Sequence, residues 1–199
     1  MPTFLHVGCG QKRKDRTTAG FNGPQWTEVR LDISPDVQPD VIADMTDMSP
    51  VDSGSVDAIF SSHNIEHLYI HEVPTALAEF QRVLKPDGFV VITCPDLQMV
   101  ANFVAGGRLT EPLYTSPAGP ISAMDILYGH GAAIARGQVY MAHRCGFTLQ
   151  TLVNALTAAG FLKVAAKRRR PFLDLWAVAS KADLPEAELQ ALARAHFPD

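Results

Sequence analysis

The sequence predicts a doubly wound α/β fold, a mainly parallel sheet with one antiparallel strand in a C-terminal hairpin. Three observations predict it. Short, near-continuous apolar runs recur through the first half, as strands covered on both faces require. A segment of helical period stands between the last two of these runs, the pattern of a β–α–β crossover. Two further runs near the C-terminus are joined by a short basic stretch that reads as a hairpin tip.

Taken in order, strands are expected over Thr3–Gly8, Thr27–Ile33, Val41–Ala43, Val56–Ser61 and Phe89–Cys94. Between the last two, Val73, Leu77, Phe80 and Leu84 share one helix face, and Pro86 with Gly88 ends that helix. Thr148 is placed as an N-cap, Leu149, Leu152, Val153 and Leu156 form the stripe behind it, and Gly160 stops the helix. The hairpin comprises Lys163–Lys167 and Leu173–Ser180, with Arg168–Pro171 at its tip. A terminal helix begins near Asp183, which with Glu186 reads as a capping box. Gly106–Gly137, rich in Gly, Pro and Ala, is the least regular stretch and reads as a lid or substrate-side insertion, with a helical stretch of weak sequence pattern as the alternative. The organisation expected is one domain over 1–182 followed by a helix over 183–199.

Composition narrows the class. A chain of 199 residues with 47% apolar and 19% charged residues has enough apolar side chains for a packed core. With 17 Lys+Arg against 21 Asp+Glu, the net charge of −4 argues against a general nucleic-acid binder, which needs a basic face. No run approaches the ~18 apolar residues of a membrane span, and no basic segment precedes an apolar core at the N-terminus. Cys9, Cys94 and Cys145 are odd in number and far apart, which speaks against a disulfide framework. The expectation is a reduced, cytoplasmic protein.

"FLHVGCGQ", Phe4 to Gln11, runs a strand into two glycines. In open α/β sheets, ligands bind beyond the carboxyl ends of the strands, at the switch point beside the first strand. Gly8 and Gly10 fall there, and glycine admits a ligand where a Cβ would collide. Asp32 ends the second strand 24 residues after Gly8, where a carboxylate can accept both hydroxyls of a ribose. A dinucleotide cradle calls for a third glycine at the position of Arg13, whose bulk opposes that reading. Lys12, Arg13 and Lys14 read as a solvated basic loop, with phosphate attraction as the alternative.

Together "HVGCG", "EVRLDI", "PDVIADM", "VDAIFSSHNIEHL", "FQRVLKPDGFVVITCPD" and "HRCGFTLQTLVNALTAAGF" resemble a class I S-adenosylmethionine-dependent methyltransferase. In order and spacing they cover most of Phe4–Phe161, and the likeness is closest to small, type-11-like proteins associated with glycan or small-molecule modification. The resemblance implies a Rossmann-like fold, S-adenosylmethionine as cofactor and S-adenosylhomocysteine as product. It also implies roles: Gly8 and Gly10 facing the methionine and ribose part, Asp32 holding the ribose diol, and Ile33 packing beside the adenine. Asp44 would accept from the adenine amino group, Met45 would lie against the ring or offer its amide, and Ser62 and His63 would border the sulfonium methyl. The chain departs from the family at His6, where many members carry an acid, at Gln11–Lys12, where a third glycine is common, and at Asp87 in "LKPDG".

"HNIEH", His63 to His67, also matches a zinc-peptidase pattern, and His71 would extend it along one helical face. The motif follows a strand directly and no distant carboxylate ligand stands out, so no metal is expected and His67 is assigned to packing at a helix start. His63 is the first catalytic candidate, a neutral imidazole able to take a proton from a hydroxyl acceptor. His143, in "AHRCGF", is the second, with a backbone-bonded helix-entry histidine as the alternative. Tyr128 and His130 are weaker candidates. Cys9 and Cys145 read as small apolar residues, and "KRRR", Lys167 to Arg170, as a solvated tip rather than a docking patch for acidic substrates. Leu189, Leu192 and Phe197 give the terminal helix an apolar side, expected to dock on its own domain, with a homodimer contact as the alternative.

The function this predicts is methyl transfer to a small-molecule or glycan-like acceptor. Two rivals stand beside it: a non-catalytic module that binds the same cofactor, and a nicotinamide-dependent oxidoreductase.

Overall fold

The computed structural model describes residues 1–170 and 172–198. Strands β1 (Thr3–Val7), β2 (Thr27–Asp32), β3 (Val41–Ile42) and β4 (Val56–Ser62) precede helix α1 (Val73–Val83) and strand β5 (Leu84–Pro95). Helix α2 (Leu97–Ala105), the β6 (Pro112–Ser116) and β7 (Gly119–Ser122) hairpin, and helices α3 (Ala123–Tyr128) and α4 (Gly131–Ala135) follow. Helix α5 (Leu149–Ala158), strands β8 (Lys163–Arg169) and β9 (Asp174–Ser180), and helix α6 (Glu186–His196) complete the chain.

Seven strands form one sheet in the order β3-β2-β1-β4-β5-β9-β8. All neighbours up to β5 are parallel, and β9 runs antiparallel to both β5 and β8, so it is the single reversed strand. The order reverses between β1 and β4, which opens a crevice at their carboxyl ends. Strand β5 starts earlier than its apolar run suggests. Leu84 pairs with Val56 and Phe89 with Ala58, so Lys85–Gly88 bulges out of the ladder.

Alternation along β1 divides the core. Leu5 and Val7 pack with Leu31, Ile59, Ile92, the α1 residues Leu77 and Phe80, and the α5 residues Leu152 and Leu156. Phe4, on the opposite face, packs with Phe21, Phe60, Phe89 and Val91 beneath Trp26, Leu192 and Phe197. The β1–β2 connection contains no α-helix: Phe21 stacks on Phe4 with ring centroids 4.4 Å apart, and the aromatic loop covers the sheet there. Helix α6 covers the rest of that face, the docking expected for its apolar side.

Two expectations are corrected and one alternative is met in part. The stretch 106–137 is partly helical, as its alternative reading had it: it forms the β6–β7 hairpin, α3 with a Ser122–Asp125 capping box, and α4, and its β7 and α3 pack on α2 through Ile121, Ile126 and Val100. Helix α6 begins after Pro185 without a side-chain cap, because Asp183 pairs instead with Lys163 at 3.2 Å. Strand β8 continues through Arg169, so Arg168 and Arg169 belong to the sheet; Pro171 lies outside the described residues. The Thr148 cap forms as a capping box with Thr151. Among the described residues, no helix is long and apolar enough to cross a membrane.

Candidate active site

Alternation along β2 puts Glu28, Arg30 and Asp32 on one face of the strand. Glu28 accepts from His6 Nδ1 at 2.7 Å and from the Lys14 amide at 3.0 Å. Arg30, only 2% exposed, donates to the carbonyls of Gly10, Lys12, Val37 and Gln38. Asp32 accepts from the amides of Gly10 at 2.8 Å and Ser34 at 2.9 Å. The glycine turn therefore rests on a polar ladder built by one strand. Beside His6, where the resemblance implies an acid, β2 supplies the Glu28 carboxylate, while burial holds the His6 imidazole below its ordinary pKa against that pull.

Gly8 and Gly10 both have positive φ, +62° and +51°. A Cβ on Gly8 would lie 2.2 Å from Oδ1 of Asn64, whose Nδ2 donates to the Val7 carbonyl at 2.9 Å. The first glycine thus lets Asn64 tie the end of β1 to the segment after β4. Lys14 is not a solvated cation: Nζ donates to the carbonyls of Gly23 at 3.2 Å and Trp26 at 2.9 Å.

The crevice at the carboxyl ends of β1, β2 and β4 is a cavity of about 550 Å³. Gly8, Gly10, Asp32, Ile33, Asp44, Met45, Ser62 and His63 all line it. Asp44 accepts from the amide of Thr46 at 2.8 Å and from its hydroxyl at 2.7 Å, and Ser62 Oγ lies 2.9 Å from Thr93 Oγ1. Ile33 is 53% exposed at the rim, and Met45 packs partly on the core. Two carboxylates, apolar side chains and a glycine turn match a nucleoside, whose ribose diol and exocyclic amine both donate to carboxylates.

Beyond Ser62 the chain turns through His63 with φ +56°, uncommon for a residue with a Cβ. Its amide donates to the Thr93 carbonyl at 2.9 Å. Its imidazole is 45% exposed, with Nδ1 3.3 Å from Glu66 Oε1 and Nε2 3.9 Å from Asp174 Oδ2. Its partial withdrawal from water works against its charge, but the Asp174 and Glu66 carboxylates outweigh that and raise its pKa. The neutral His63 expected from the sequence is therefore disfavoured by its neighbours. The same contacts hold the carboxyls of Glu66 and Asp174 below the usual range in spite of burial.

His63 and Met141 also line a second cavity, of about 120 Å³, with Tyr114, Asp125, His130 and His143. His143 Nδ1 donates to the Ile126 carbonyl at 2.7 Å, so it is both backbone-bonded and at a cavity wall, and burial lowers its pKa. Tyr128 is 62% exposed. His71 does not extend a histidine face. Ile65–His67 is a single 3-10 turn, and the exposed His71 stacks on Tyr69 with centroids 5.7 Å apart.

The "KRRR" run is also corrected. Lys167 donates to the Pro198 carbonyl, Arg168 pairs with the fully buried Asp96 at 2.8 Å, and Arg169 grips Asp174, at 3.0 Å through Nε. Burial pushes the thiols of Cys9 and Cys145 up to about 11, consistent with their reading as small apolar residues. Sequence reasoning missed Arg30, Asn64, Glu66 and Asp174. The period-2 polar face of "EVRLD" signals Arg30, whereas nothing local marks Asp174.

Residues 5–92 match a family model described as a methyltransferase domain. The fold matches a Burkholderia thailandensis 1,6-didemethyltoxoflavin-N1-methyltransferase solved with 1,6-didemethyltoxoflavin and S-adenosylhomocysteine, at TM-score 0.58 and 21% identity over 92% of this chain and 72% of that one. A SAM-dependent methyltransferase from Archaeoglobus fulgidus matches at TM-score 0.57 and 14% identity, over 90% and 86% of the two chains. One from Methanosarcina mazei matches at 0.59 and 15%, over 89% and 91%. No curated protein matches the sequence. These matches give the chain the Rossmann-like fold that S-adenosylmethionine-dependent methyltransferases share, and residues 5–92, which hold the glycine turn and the acid that ends β2, carry the likeness to a methyltransferase domain.

Proposed function

We propose that the chain transfers a methyl group from S-adenosylmethionine to a small-molecule or glycan-like acceptor. The observation that carries this reading is convergence: eight residues from four separate segments line one cavity of about 550 Å³, and that cavity meets a smaller one at His63 and Met141. Bound S-adenosylmethionine supplies a methyl on an activated sulfonium. Asp32 holds the ribose diol, Asp44 accepts from the adenine amine, Ile33 and Met45 pack on the base, and Gly8 and Gly10 leave room for the methionine arm. Ser62 and His63 border the methyl, and the acceptor enters from the second cavity between His63 and His143. Positioning an acceptor against an activated donor can contribute about 7–11 kcal/mol. The small acceptor bound by the structurally similar Burkholderia enzyme and the net charge of −4 support a small acceptor here.

Titration calorimetry with S-adenosylhomocysteine tests the cofactor half. Micromolar binding that weakens at least tenfold in Asp32→Ala is expected, and tight NAD binding in its place would overturn it. A turnover screen that finds only tRNA or protein methylated would overturn the acceptor class.

A further inference from the structure

We propose that Glu66, His67 and His143 bind a divalent transition-metal ion where the two cavities meet, and that the ion's open positions hold an oxygen of the acceptor. Only the second clause rests on the methyl-transfer reading. The sequence argued against a metal because "HNIEH" follows a strand directly and no distant carboxylate stood out; the distant group that the fold brings in is a histidine instead. A ligand atom from each of the three residues lies within 4.8 Å of the others. Donors about 2.1 Å from a tetrahedral ion sit about 3.4 Å apart, so movements of about 1 Å would close the set.

The two imidazoles are prepared as ligands. Nδ1 of His67 faces the Ala142 carbonyl at 3.1 Å, and Nδ1 of His143 faces the Ile126 carbonyl at 2.7 Å. A carbonyl only accepts, so Nδ1 is the donor in both rings, and in the neutral form of each ring the lone pair is on Nε2. This is the outer-shell arrangement that orients metal-binding histidines.

Glu66 is the independent observation. It is 1% exposed, and neither carboxylate oxygen has a hydrogen-bond partner. Oε1 faces His63 Nδ1 at 3.3 Å, an ion pair outside hydrogen-bonding geometry, and Oε2 has no partner at all. A buried carboxylate with an oxygen left unmet is unfavourable unless a second cation reaches it. The backbone holds the donors in place: the Glu66 carbonyl accepts from the amides of Arg144 at 2.8 Å and Cys145 at 3.2 Å.

Two imidazoles and one carboxylate suit zinc, cobalt, iron(II) or manganese better than calcium or magnesium, and leave positions for exogenous ligands. His67 lines the larger cavity and His143 the smaller, so an ion among them borders both. The acceptor class this selects carries a hydroxyl or enol oxygen able to coordinate a metal. His143 then serves as a ligand rather than as a free base.

The test uses the full chain, stripped with chelator and titrated with Zn²⁺ or Co²⁺. One ion per chain at submicromolar affinity is expected, weakened at least thirtyfold in Glu66→Gln and in His143→Gln and unchanged in His71→Gln. Circular dichroism verifies that the variants fold. The wild-type Co²⁺ spectrum gives a readout independent of them, with bands of low coordination number expected. Weak binding that is equal in all four proteins, or the spectrum of hexa-aqua Co²⁺, would overturn the site. A thiolate charge-transfer band would reassign the metal to a cysteine and likewise overturn it. Catechol added to the Co²⁺ protein should shift the bands; an unchanged spectrum would overturn the acceptor clause. S-adenosylhomocysteine titrated into the same samples separates the two readings: metal bound without nucleoside binding sinks the cofactor assignment alone, and the reverse sinks this one alone.

Discussion

The carboxylate of Asp32 accepts the amide proton of Gly10 at 2.8 Å, so the acid that ends β2 also sets the second glycine of the β1 turn. Its other oxygen is engaged by the Ser34 amide at 2.9 Å. Asp32→Asn keeps an acceptor for one of these amides but loses the charge. It should remain folded and bind S-adenosylhomocysteine about 10- to 100-fold more weakly, since a charge-assisted hydrogen bond is worth about 1.5–3 kcal/mol. Calorimetry alongside thermal unfolding checks both halves, and an unchanged affinity would remove Asp32 from the ribose role.

Gly8→Ala introduces a Cβ 2.2 Å from Asn64 Oδ1 at a φ of +62°. Strain and collision together should destabilise the protein by about 2–3 kcal/mol. In the double variant with Asn64→Gly the collision is gone while the strained φ remains. Urea unfolding of the two single variants and the double should therefore show coupling of about 1 kcal/mol. Strict additivity would mean that the Asn64 contact is not what Gly8 protects.

Asp96 is fully buried, caps α2 by accepting from the Gln98 amide at 3.1 Å, and pairs with Arg168 Nε at 2.8 Å. Asp96→Ala should cost about 2 kcal/mol, chiefly through the lost cap, because the part-exposed Arg168 guanidinium keeps its bond to Gln98 Oε1. Arg168→Met should cost a similar amount, because it leaves the carboxylate buried without its cation. A pair of near-neutral results in urea unfolding would restore the solvated-tip reading of this arginine.

His196 is 4% exposed among Phe21 and Phe89, with Nδ1 2.7 Å from Thr18 Oγ1. Burial pushes its pKa down from 6.5 to about 4. Between these values the unfolded chain takes up a proton that the folded protein refuses, so stability is full above about pH 6.5 and falls as pH drops toward 4. The loss approaches about 3 kcal/mol at the lower end. Urea unfolding at pH 7 and pH 4.5 should show it, and His196→Phe should flatten that part of the profile. An equal slope in the variant would assign the loss to other groups.

The sequence by itself determined the seven strands of the main sheet, apart from the start of β5 and the end of β8, the α1 and α5 helices, the single reversed strand and eight positions that line the main cavity, but not the β6–β7 hairpin. These follow from local signals: two-residue and 3.6-residue periods, the Thr148 cap, glycines at a strand end and an acid at the next. Each acts over a few residues, so a short window contains its cause. What only the tertiary structure decided depends on partners far apart in the chain. His143 comes to Glu66 and His67 because the Glu66 carbonyl takes the next two amides. Arg168 reaches Asp96 from another strand, and Asp183 leaves its cap to pair with Lys163. His63 sits between Glu66 and Asp174, which only the β5–β9 pairing brings near. A lone charged or titratable side chain has no periodicity; its partner and its protonation are set by which buried group the fold places beside it.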